Sequence, residues 1–575
     1  MRINFLKDFQ PSLFQTLRTY NRKKFTADLM SGLIVGVVAL PLAIAFGIAS
    51  GVTPDKGIYT AIIAGFIISF LGGSTVQIGG PTGAFIVIVY GIVEQFGVQG
   101  LAIASVMAGV MLVMMGFLKL GSIIKFIPYP IVVGFTSGIA LTIFSTQIKD
   151  FFGLTTPRLP SGFIGKWGVY FQHFDTINLW ALIIAVSTVA IIALTPKLTK
   201  KIPGSLIAII IMTLIAYVLK SYANIGSIET IGDRFIIQSQ LPEVISLNIS
   251  IESIRVLFPS AFTIAMLCAI ESLLSATVAD GITGEKHNSN MELVAQGAAN
   301  IITPFFGGIP ATGAIARTMT NINNGGKTPV AGIIHAIVLM LIVLFLGDLT
   351  RHVPMACLAG ILVMVAYNMS EWRTFRSLVK QSKATMSILM TTFLLTVIFD
   401  LTIAITVGLL LAVFAFLKRM NSATRISRST GAIDTNEGIE TASGEVTEDL
   451  LHLPDSVEVY EIRGPFFFGV ANKFDEKMRI WGEHHDIRII RMRRVPFIDS
   501  TGLNNLEILC SNSMKEKIQV ILSGVNSNVM AHIEKSEIPN IIGKENICSN
   551  IHLAVDRAKV LDMEIKAKKK KKKHS

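Results

Sequence analysis

The chain has 575 residues, of which 51% are hydrophobic and only 16% are charged, and its formal net charge is +12. Soluble globular domains are about 25% charged, so this composition excludes a wholly water-soluble protein. The basic residues cluster beside apolar segments, as the positive-inside rule requires, and we therefore expect a lipid bilayer rather than a nucleic acid as the partner.

Residues 1–25 carry six cations ahead of the first apolar run: Arg2, Lys7, Arg18, Arg22, Lys23 and Lys24. No short apolar core with a small-residue cleavage site follows, so the segment is not a secretory signal. We interpret it as a cytoplasmic N-terminal arm. Its residues Phe9–Leu17 form either an amphipathic helix on the membrane or part of a disordered tail.

Apolar runs long enough to cross about 30 Å of hydrocarbon repeat through residues 26–418, which we predict to be the transmembrane domain. An even number of spans puts both termini on the basic, cytoplasmic side of the plasma (inner) membrane. The polar segments Lys149–Asn178 and Ser221–Ile254 are then extracellular loops. The fourteen predicted spans are 26–50, 56–72, 81–96, 100–118, 128–148, 177–195, 203–220, 257–279, 289–305, 313–323, 331–347, 354–370, 384–399 and 401–418.

Two spans are short and begin with similar segments, each in the third span of a seven-span unit. The segments read Gly79-Gly80-Pro81-Thr82-Gly83-Ala84-Phe85 and Gly307-Gly308-Ile309-Pro310-Ala311-Thr312-Gly313-Ala314-Ile315. Short Gly/Pro-interrupted segments in matching halves are typical of a transporter binding site. The alternative is that they are two ordinary glycine-rich turns.

The broken helices favour an anion as the bound species. A helix that starts near the bilayer centre presents unpaired N–H groups and the positive end of its dipole. Two such ends facing each other would form an anion site. The predicted substrate-binding residues are Thr82, Gly83, Ala84, Phe85, Gly313, Ala314, Ile315 and Arg317.

Glu271 lies in the middle of an apolar span, where an acid costs about 2.5–3.5 kcal/mol and normally faces a cavity or a partner. Ser275 is one turn further along the same face. Together they could bind Na⁺, or Glu271 could take up and release H⁺; the alternative is a structural carboxylate. Arg317 could bind the anion directly, or pair with Glu271 when no substrate is bound.

The remaining polar groups of the spans are assigned no chemistry. Glu94, Asp280 and Glu292 fall near span ends and are interpreted as interfacial or capping groups. The four cysteines are scattered without metal-ligand spacing, so we expect no disulfide and no metal centre beyond a possible Na⁺ site.

After residue 418 the composition becomes that of a soluble domain. We predict a linker over 419–452, an α/β domain over 453–563 and a basic tail over 564–575. Strands are predicted at Val457–Ile462, Ile487–Met492 and Gln519–Ser523, with helices near Asn472–Glu483 and Leu503–Lys515. Asp499 and Ser500 open the second helix as an N-cap, a position that could also be phosphorylated.

These features resemble the SulP (SLC26-type) family of anion transporters with a C-terminal STAS domain, and the resemblance covers nearly the whole chain. Within the signature, Lys56 stands where an aromatic residue is usual and Thr75 where a basic or amide residue is usual. The segments that carry the resemblance are Pro54–Ala61, Gly72–Ser74, Glu292–Asn300, Gly307–Pro310, Gly464–Gly469 and Pro496–Leu503.

The resemblance implies an α-helical membrane protein with a 7+7 inverted repeat of core and gate domains, elevator-type movement, and a homodimer with cytoplasmic STAS domains. Glu271 matches an acidic position of the eighth span, Ser275 a hydroxyl of Na⁺-coupled members, and Arg317 a basic residue near the anion site. Ile315 replaces a hydroxyl of those members, which favours proton coupling. Ser500 matches a serine that is phosphorylated in soluble STAS proteins.

The function expected is secondary active transport of small anions of the sulfate, bicarbonate or dicarboxylate class, by H⁺- or Na⁺-coupled symport. The alternatives are anion exchange or channel-like conduction on the same fold, a nucleobase carrier, and a receptor whose spans only anchor a signalling domain. No nucleotide-binding loop, catalytic triad or metal spacing supports an enzyme, and no cofactor is expected.

Overall fold

The computed structural model describes residues 9–122, 128–157, 159–160, 162–198, 203–222, 228–235, 242–248, 250–399, 401–434, 450–470 and 485–573. The chain divides after Leu411 into two compact units. The helix predicted at Asn472–Glu483 and much of the predicted linker lie outside the described residues.

The chain is helical up to Ala423, apart from two short strands, β1 (Gly79–Gly80) and β2 (Thr312–Gly313). The helices are α1 Ser12–Leu17, α2 Arg22–Ala49, α3 Pro54–Leu71, α4 Ile86–Phe117, α5 Tyr129–Phe152, α6 Phe163–Gln172, α7 Leu179–Leu198, α8 Gly204–Tyr222, α9 Ile231–Arg234, α10 Ile251–Thr283, α11 Ser289–Ile302, α12 Ile315–Asn323, α13 Val330–Thr350, α14 Met355–Met369, α15 Trp372–Val379, α16 Lys383–Ile398 and α17 Leu401–Ala423.

Within the described residues, nine helices are long and apolar enough to cross a membrane, and 330–345 and 383–398 are shorter apolar segments. The predicted spans 81–96 and 100–118 are joined in α4 without a loop. The helix breaks at Gly97, whose φ of 69° only glycine adopts readily. The count of fourteen spans stays a prediction.

The membrane helices pack as two groups, which we call the first and second helix groups. The first group contains α2, α3, α4, α10, α11 and α13, and the second contains α5, α7, α8, α14 and α16. Consecutive helices do not simply pack in sequence, because α4 contacts α10 and α11 from the other half of the chain. This interleaving brings the two Gly/Pro segments together.

Segments expected to be loops contain short helices. Helix α6 lies inside the predicted loop Lys149–Asn178, α9 lies inside the loop Ser221–Ile254, and α15 follows α14 directly. Helix α5 also continues to Phe152, four residues beyond the predicted span end at 148. Helices of four to ten residues carry too little periodic sequence to stand out from a polar loop.

The second unit is an α/β domain around a five-stranded sheet of order β3-β6-β7-β8-β9. The three predicted strands are confirmed, and the helix predicted from Leu503 begins at Ser500. The elements are β3 Arg425–Thr430, β4 Ala432–Asp434, β5 Leu450–His452, β6 Val457–Arg463, β7 Ile487–Arg494, α18 Ser500–Lys515, β8 Gln519–Ser523, α19 Ser527–Ile533, α20 Ile538–Ile542, β9 Ile547–Cys548 and α21 Ile551–Lys573.

Two segments near this domain differ from the expectation. Within the predicted linker 419–452, residues Arg425–Thr430 form strand β3, which pairs antiparallel with β6. Helix α21 continues to Lys573 through the segment expected to be a basic tail. There Lys569 Nζ donates to Asp486 Oδ2 at 2.7 Å, and Lys566 Nζ to Asp562 Oδ2 at 2.7 Å.

Asp499 caps α18. Its Oδ1 accepts from Gly502 N at 2.7 Å, and its Oδ2 accepts from Phe468 N at 3.2 Å. We expect Asp499→Ala to destabilise this helix start by about 1 kcal/mol, because two amide groups lose their acceptor. Hydrogen exchange of the α18 amides in the full-length protein measures the effect. Ser500→Ala is the control, since the Ser500 side chain is exposed, and equal exchange in both variants would contradict the prediction.

Candidate functional site

The two Gly/Pro segments meet as an antiparallel pair of strands. Gly79 lies opposite Gly313, and Gly80 lies opposite Thr312. Ala314 N extends the pairing by donating to Ile78 O at 3.0 Å. The strand pair satisfies backbone groups that the interrupted helices leave without partners at membrane depth. The sequence indicated two matched breaks but did not predict this pairing.

A half-length helix follows each strand. A single turn of 3₁₀ helix, Gly83–Phe85, leads into α4 at Ile86, and Ala314 is the N-cap of α12. Helix α12 has nine residues and is therefore about 14 Å long, roughly half the hydrocarbon thickness. The first amide groups of both helices lack intrahelical partners, so each start offers N–H donors and a positive dipole end.

Two long polar side chains lie across the strand pair in a reciprocal arrangement. Arg317 Nη1 donates to Gly79 O at 3.3 Å, and a Cβ added to Gly80 would lie 1.8 Å from that nitrogen. On the opposite strand, a Cβ added to Gly313 would lie 1.5 Å from Gln77 Nε2. Glycine is therefore required at both positions for close approach, and Gly80 also has a φ of 151°.

Arg317 and Gln77 keep polar atoms available for a ligand. Both side chains are 3% exposed. Among the described residues, none forms a hydrogen bond with Arg317 Nη2 or with either side-chain atom of Gln77. Buried polar atoms normally have partners, so these atoms mark a place where a ligand or water would bind.

Side chains of the first helix group and of α12 fix the strand pair from both sides. Asn300 Nδ2 donates to Ala311 O at 2.7 Å, and Asn300 Oδ1 accepts from Ala311 N at 2.9 Å. Thr60 Oγ1 accepts from Ile309 N at 2.8 Å, and Asn321 Nδ2 donates to Val76 O at 2.8 Å. These bonds involve side chains from α3, α11 and α12, so the site is held rigidly.

Glu271 is linked to the first half-helix. Thr82 Oγ1 donates to Glu271 Oε2 at 3.0 Å, and both side chains are partly exposed. Ser275 is buried on the same helix, but its hydroxyl donates to Thr318 Oγ1 at 3.4 Å rather than to Glu271. Within the described part of the chain, Glu271 and Arg317 form no ion pair, so this structure lacks the substrate-free pairing we considered. Glu271, Thr82 and Ser275 supply only oxygen atoms, which suit Na⁺ or H⁺.

The start of the first half-helix faces the second helix group. A Cβ added to Gly83 would lie 3.0 Å from Met369 Sδ on α14 and 3.5 Å from Ile143 Cδ1 on α5. Gly83, Ala84, Phe85 and Gly313 are buried, whereas Ala314 is partly exposed and Ile315 is 40% exposed. The site therefore lies at the interface of the two groups, with its more open side at α12. Ser500 lies in the other unit.

Sequence analysis missed the structural role of two buried acids. Glu292, expected near a span end, is fully buried, and its Oε2 accepts from Gly73 N at 2.9 Å and Ser74 N at 3.2 Å. Asp28 is also fully buried, and its Oδ1 accepts from Lys327 N at 2.8 Å and Thr328 N at 3.1 Å. Asp28 could have been found by the criterion that identified Glu271, an acid within an apolar run.

We expect Glu292→Ala to lower the stability of the protein by on the order of 2 kcal/mol or more, because two buried amides lose their acceptor. Thermal unfolding of the detergent-solubilised protein measures this loss. Glu292→Gln is the matched control, since its amide oxygen can take the place of Oε2 and accept from both amides. A melting temperature unchanged in Glu292→Ala would contradict this role.

The comparisons with known proteins agree with this architecture. The profile of the sulfate permease family matches residues 25–392, and a STAS-domain profile matches residues 451–558. The chain is 42% identical over 534 residues to YvdB of Bacillus subtilis (strain 168), a protein provisionally named a sulfate transporter, with 92% of this chain and 96% of YvdB covered. It is 31% identical over 526 residues to the bicarbonate transporter BicA of a Picosynechococcus species, with 90% and 91% covered.

Two solved structures share the fold. The murine Solute Carrier 26 family member A9 anion transporter, in its inward-facing state, matches with a TM-score of 0.85 at 20% identity over 97% of this chain and 95% of that chain. The transmembrane domain of a cyanobacterial BicA matches with a TM-score of 0.60 at 31% identity over 67% of this chain and 98% of that chain.

The family matches and the similar transporters show an integral membrane transporter with a C-terminal STAS domain, and not an enzyme. The chain belongs to the sulfate permease family of anion transporters.

Proposed function

We propose that this protein is a secondary active transporter that carries small anions of the sulfate, bicarbonate or dicarboxylate class by symport with H⁺ or Na⁺. The observation that carries the proposal is the strand pair β1–β2, which brings two helix starts, Arg317 and the Thr82–Glu271 hydrogen bond into one site. The names of YvdB and BicA support sulfate and bicarbonate as the first anions to test.

The site attracts an anion because fixed positive charge converges on it. The amide groups of Gly83, Ala84, Ile315 and their neighbours lie at helix starts, and Arg317 adds a full charge. A planar or tetrahedral oxyanion would accept hydrogen bonds from several of these donors at once. Phe85, Ala314 and Ile315 would limit its size.

Coupling follows from the position of Glu271. An ionised Glu271 next to Thr82 opposes the field that attracts the anion, whereas a neutralised Glu271 does not. Binding of H⁺ or Na⁺ at Glu271, with Na⁺ drawing also on the hydroxyls of Thr82 and Ser275, would therefore favour anion binding. By linkage, the anion favours cation binding equally. The residue Ile315 offers no hydroxyl to a Na⁺ ion, which supports H⁺.

The two helix groups support an elevator-type movement of the first group, as core, against the second, as gate. The proposal includes a homodimer, cytoplasmic termini and location in the plasma membrane. We propose a transporter domain at 26–418 and a STAS domain at 453–563; the family matches at residues 25–392 and 451–558 support this division. Ser500 would have at most a regulatory role.

The test is uptake of labelled sulfate, bicarbonate and fumarate into proteoliposomes under an inward H⁺ gradient, with Na⁺ present or replaced. Uptake of one anion that collapses with the H⁺ gradient and ignores Na⁺ is the expected result. Uptake that follows Na⁺ would make Glu271 and Ser275 sodium ligands. Uptake that needs only an anion on the opposite side of the membrane would indicate exchange. Uptake that needs no cation gradient and no counter-anion would indicate conduction through the same site.

A further inference from the structure

A cavity lined by two lysines lies at one end of the interface between the two helix groups, apart from the candidate anion site. Its volume is about 120 Å³. Ala45 and Ala49 of α2 and Tyr90 of α4 line it from the first group, and Gln147 of α5 and Leu358 of α14 line it from the second. Lys166 of α6 and Lys149 of α5 supply its positive charge.

Helix α6 buries a charged side chain and exposes large apolar ones, the opposite of what is usual for a helix at the surface of a protein. Lys166 is 4% exposed and Tyr170 is 1% exposed, whereas Ile164 and Phe171 are 72% and 73% exposed. A lysine on a short loop helix normally extends into water, because burying an ammonium group without a partner costs several kcal/mol. The helix instead directs its lysine into the protein, where Lys166 Nζ lies 5.0 Å from the centre of the Tyr90 ring.

The two lysines of the cavity lack a close carboxylate partner. Among the described residues, no carboxylate forms an ion pair with Lys166 or with Lys149. Asp150 also lines the cavity, but it pairs with Arg234 Nη2 at 2.8 Å. The Glu94 carboxylate acts on Lys166 only from beyond ion-pair distance. A small anion bound between the two ammonium groups would give them a close partner.

The cavity adjoins the candidate anion site. Ile143, which lies beside Gly83, is four residues before Gln147 on α5, a rise of about 6 Å. Phe46 and Met369 also lie against Gly83, and the cavity is lined by Ala49 and Leu358 further along the same two helices. The cavity thus lies between the anion site and the end of the helices against which α6 packs.

From this geometry we propose that Lys166 and Lys149 form a second binding site for a small oxyanion at the outer end of the interface, where the transported anion binds before it reaches the central site. The proposal rests on the proposed function, whose topology makes the α6 side extracellular. Helix α6 serves as the cover of this outer site. The small volume favours a free anion over a lipid headgroup.

Two variants test the charge of the outer site. Lys166→Met removes the positive charge but keeps nearly the same side-chain length, and Lys166→Arg keeps the positive charge. We expect Lys166→Met to raise the half-saturating external sulfate or bicarbonate concentration by about 10-fold or more, with the maximal rate changed less than threefold, and Lys166→Arg to restore most of the affinity. The matched control is Lys220→Met, because Lys220 is half-exposed and paired with Asp233.

The side of the membrane distinguishes binding from folding. Uptake is measured in intact cells, where the anion arrives from the α6 side, and in inside-out vesicles, where it arrives from the other side. We expect the loss of affinity in Lys166→Met only from the α6 side. An equal loss from both sides, or none from either, would overturn the proposal. A loss that disappears in vesicles of pure phosphatidylcholine would assign the site to an anionic lipid headgroup instead.

A pH measurement on the unmodified protein covers the case in which Lys166→Met fails to fold. Burial lowers the pKa of the Lys166 ammonium group below its usual value, and the Glu94 carboxylate opposes that shift. The protonated amine binds the anion, so external sulfate affinity should fall as the pH rises toward the lowered pKa. Lys166→Arg should remove this alkaline loss, and an unchanged loss would count against Lys166. The other titratable or charged groups that line the cavity are Tyr90, Lys149 and Asp150, and Tyr170 lies one turn further along the same face of α6.

Binding can also be followed without transport. Trp167 adjoins Lys166, so tryptophan fluorescence of the detergent-solubilised protein is titrated with sulfate, and in parallel with bicarbonate, at constant ionic strength. One outcome is that sulfate binding is saturable and at least 10-fold weaker in Lys166→Met, while the unmodified protein shows no driven uptake. That outcome would support the outer site and contradict symport. A second outcome is that the unmodified protein and Lys166→Met bind the anion equally well and driven uptake is present. That outcome would overturn the outer site and still support symport. No saturable binding in the unmodified protein would also overturn it.

Discussion

Glu271→Gln is expected to abolish cation-driven anion uptake while the protein still folds and inserts. The substitution keeps the size of the side chain and an oxygen that can accept from Thr82 Oγ1, now 3.0 Å from Glu271 Oε2. It removes the only change of charge that the proposed coupling uses, because glutamine neither takes up H⁺ nor attracts Na⁺. Uptake under an inward H⁺ or Na⁺ gradient should therefore fall to the level of empty liposomes.

The matched control is Glu252→Gln, the same substitution on the same helix at its exposed start. It should leave driven uptake within about twofold of the original rate, since exposed charges contribute little. Equilibrium exchange of the anion, which needs no gradient, should survive in Glu271→Gln. Driven uptake that persists unchanged in Glu271→Gln would remove this residue from the coupling mechanism and leave it a structural carboxylate.

Arg317→Ala is expected to raise the anion concentration for half-maximal transport by about 10- to 100-fold. Hydrogen bonds to a charged group contribute about 1.5–3 kcal/mol, and Arg317 Nη2 has no other acceptor among the described residues. Arg317→Lys should recover part of the affinity, because the charge remains but the paired donors do not. Concentration dependence of the initial rate measures both variants.

The alternative for Arg317 is a structural role, since its Nη1 donates to Gly79 O across the strand pair. Gln77→Ala is the companion variant, because Gln77 occupies the reciprocal position against Gly313. A structural role predicts that Arg317→Ala lowers the melting temperature and the yield but leaves the half-saturating concentration unchanged. That outcome would contradict anion binding by Arg317.

The elements with strong periodic signals were predictable from the sequence, and those fixed by tertiary contact were not. Three strands of the STAS domain were identified because their apolar runs are bounded by turns, while β3 was missed because Arg425–Thr430 is polar and forms only at a sheet edge. The two helix breaks were visible as repeated Gly-Gly and Pro. Their strand pairing was invisible, because it joins residues that lie in different halves of the chain.

In the candidate site, too, some residues could be predicted from local sequence and others depended on tertiary contacts. Glu271 and Arg317 stood out as charges in apolar sequence, which is a local signal. The partners of these two residues and of Ser275 could not be predicted: Thr82 for Glu271, Thr318 for Ser275, and the backbone of Gly79 for Arg317. Gln77 was passed over because an amide beside glycines has no distinctive spacing. The sequence places Lys166 in a predicted loop, and its burial could not be predicted because it depends on which face of a ten-residue helix packs against the protein.

The strand pair also constrains how the protein is made. Gly79 and Gly313 are paired but lie 234 positions apart, since 313 minus 79 is 234. A ribosome adding about 5–20 residues per second reaches the second partner roughly 12–47 s after the first. During that interval the peptide groups of β1 have no strand to bind and cannot be left facing lipid. The nascent first half must therefore keep this segment hydrated or covered by the insertion machinery, and the candidate anion site is completed only when the tenth predicted span enters the membrane.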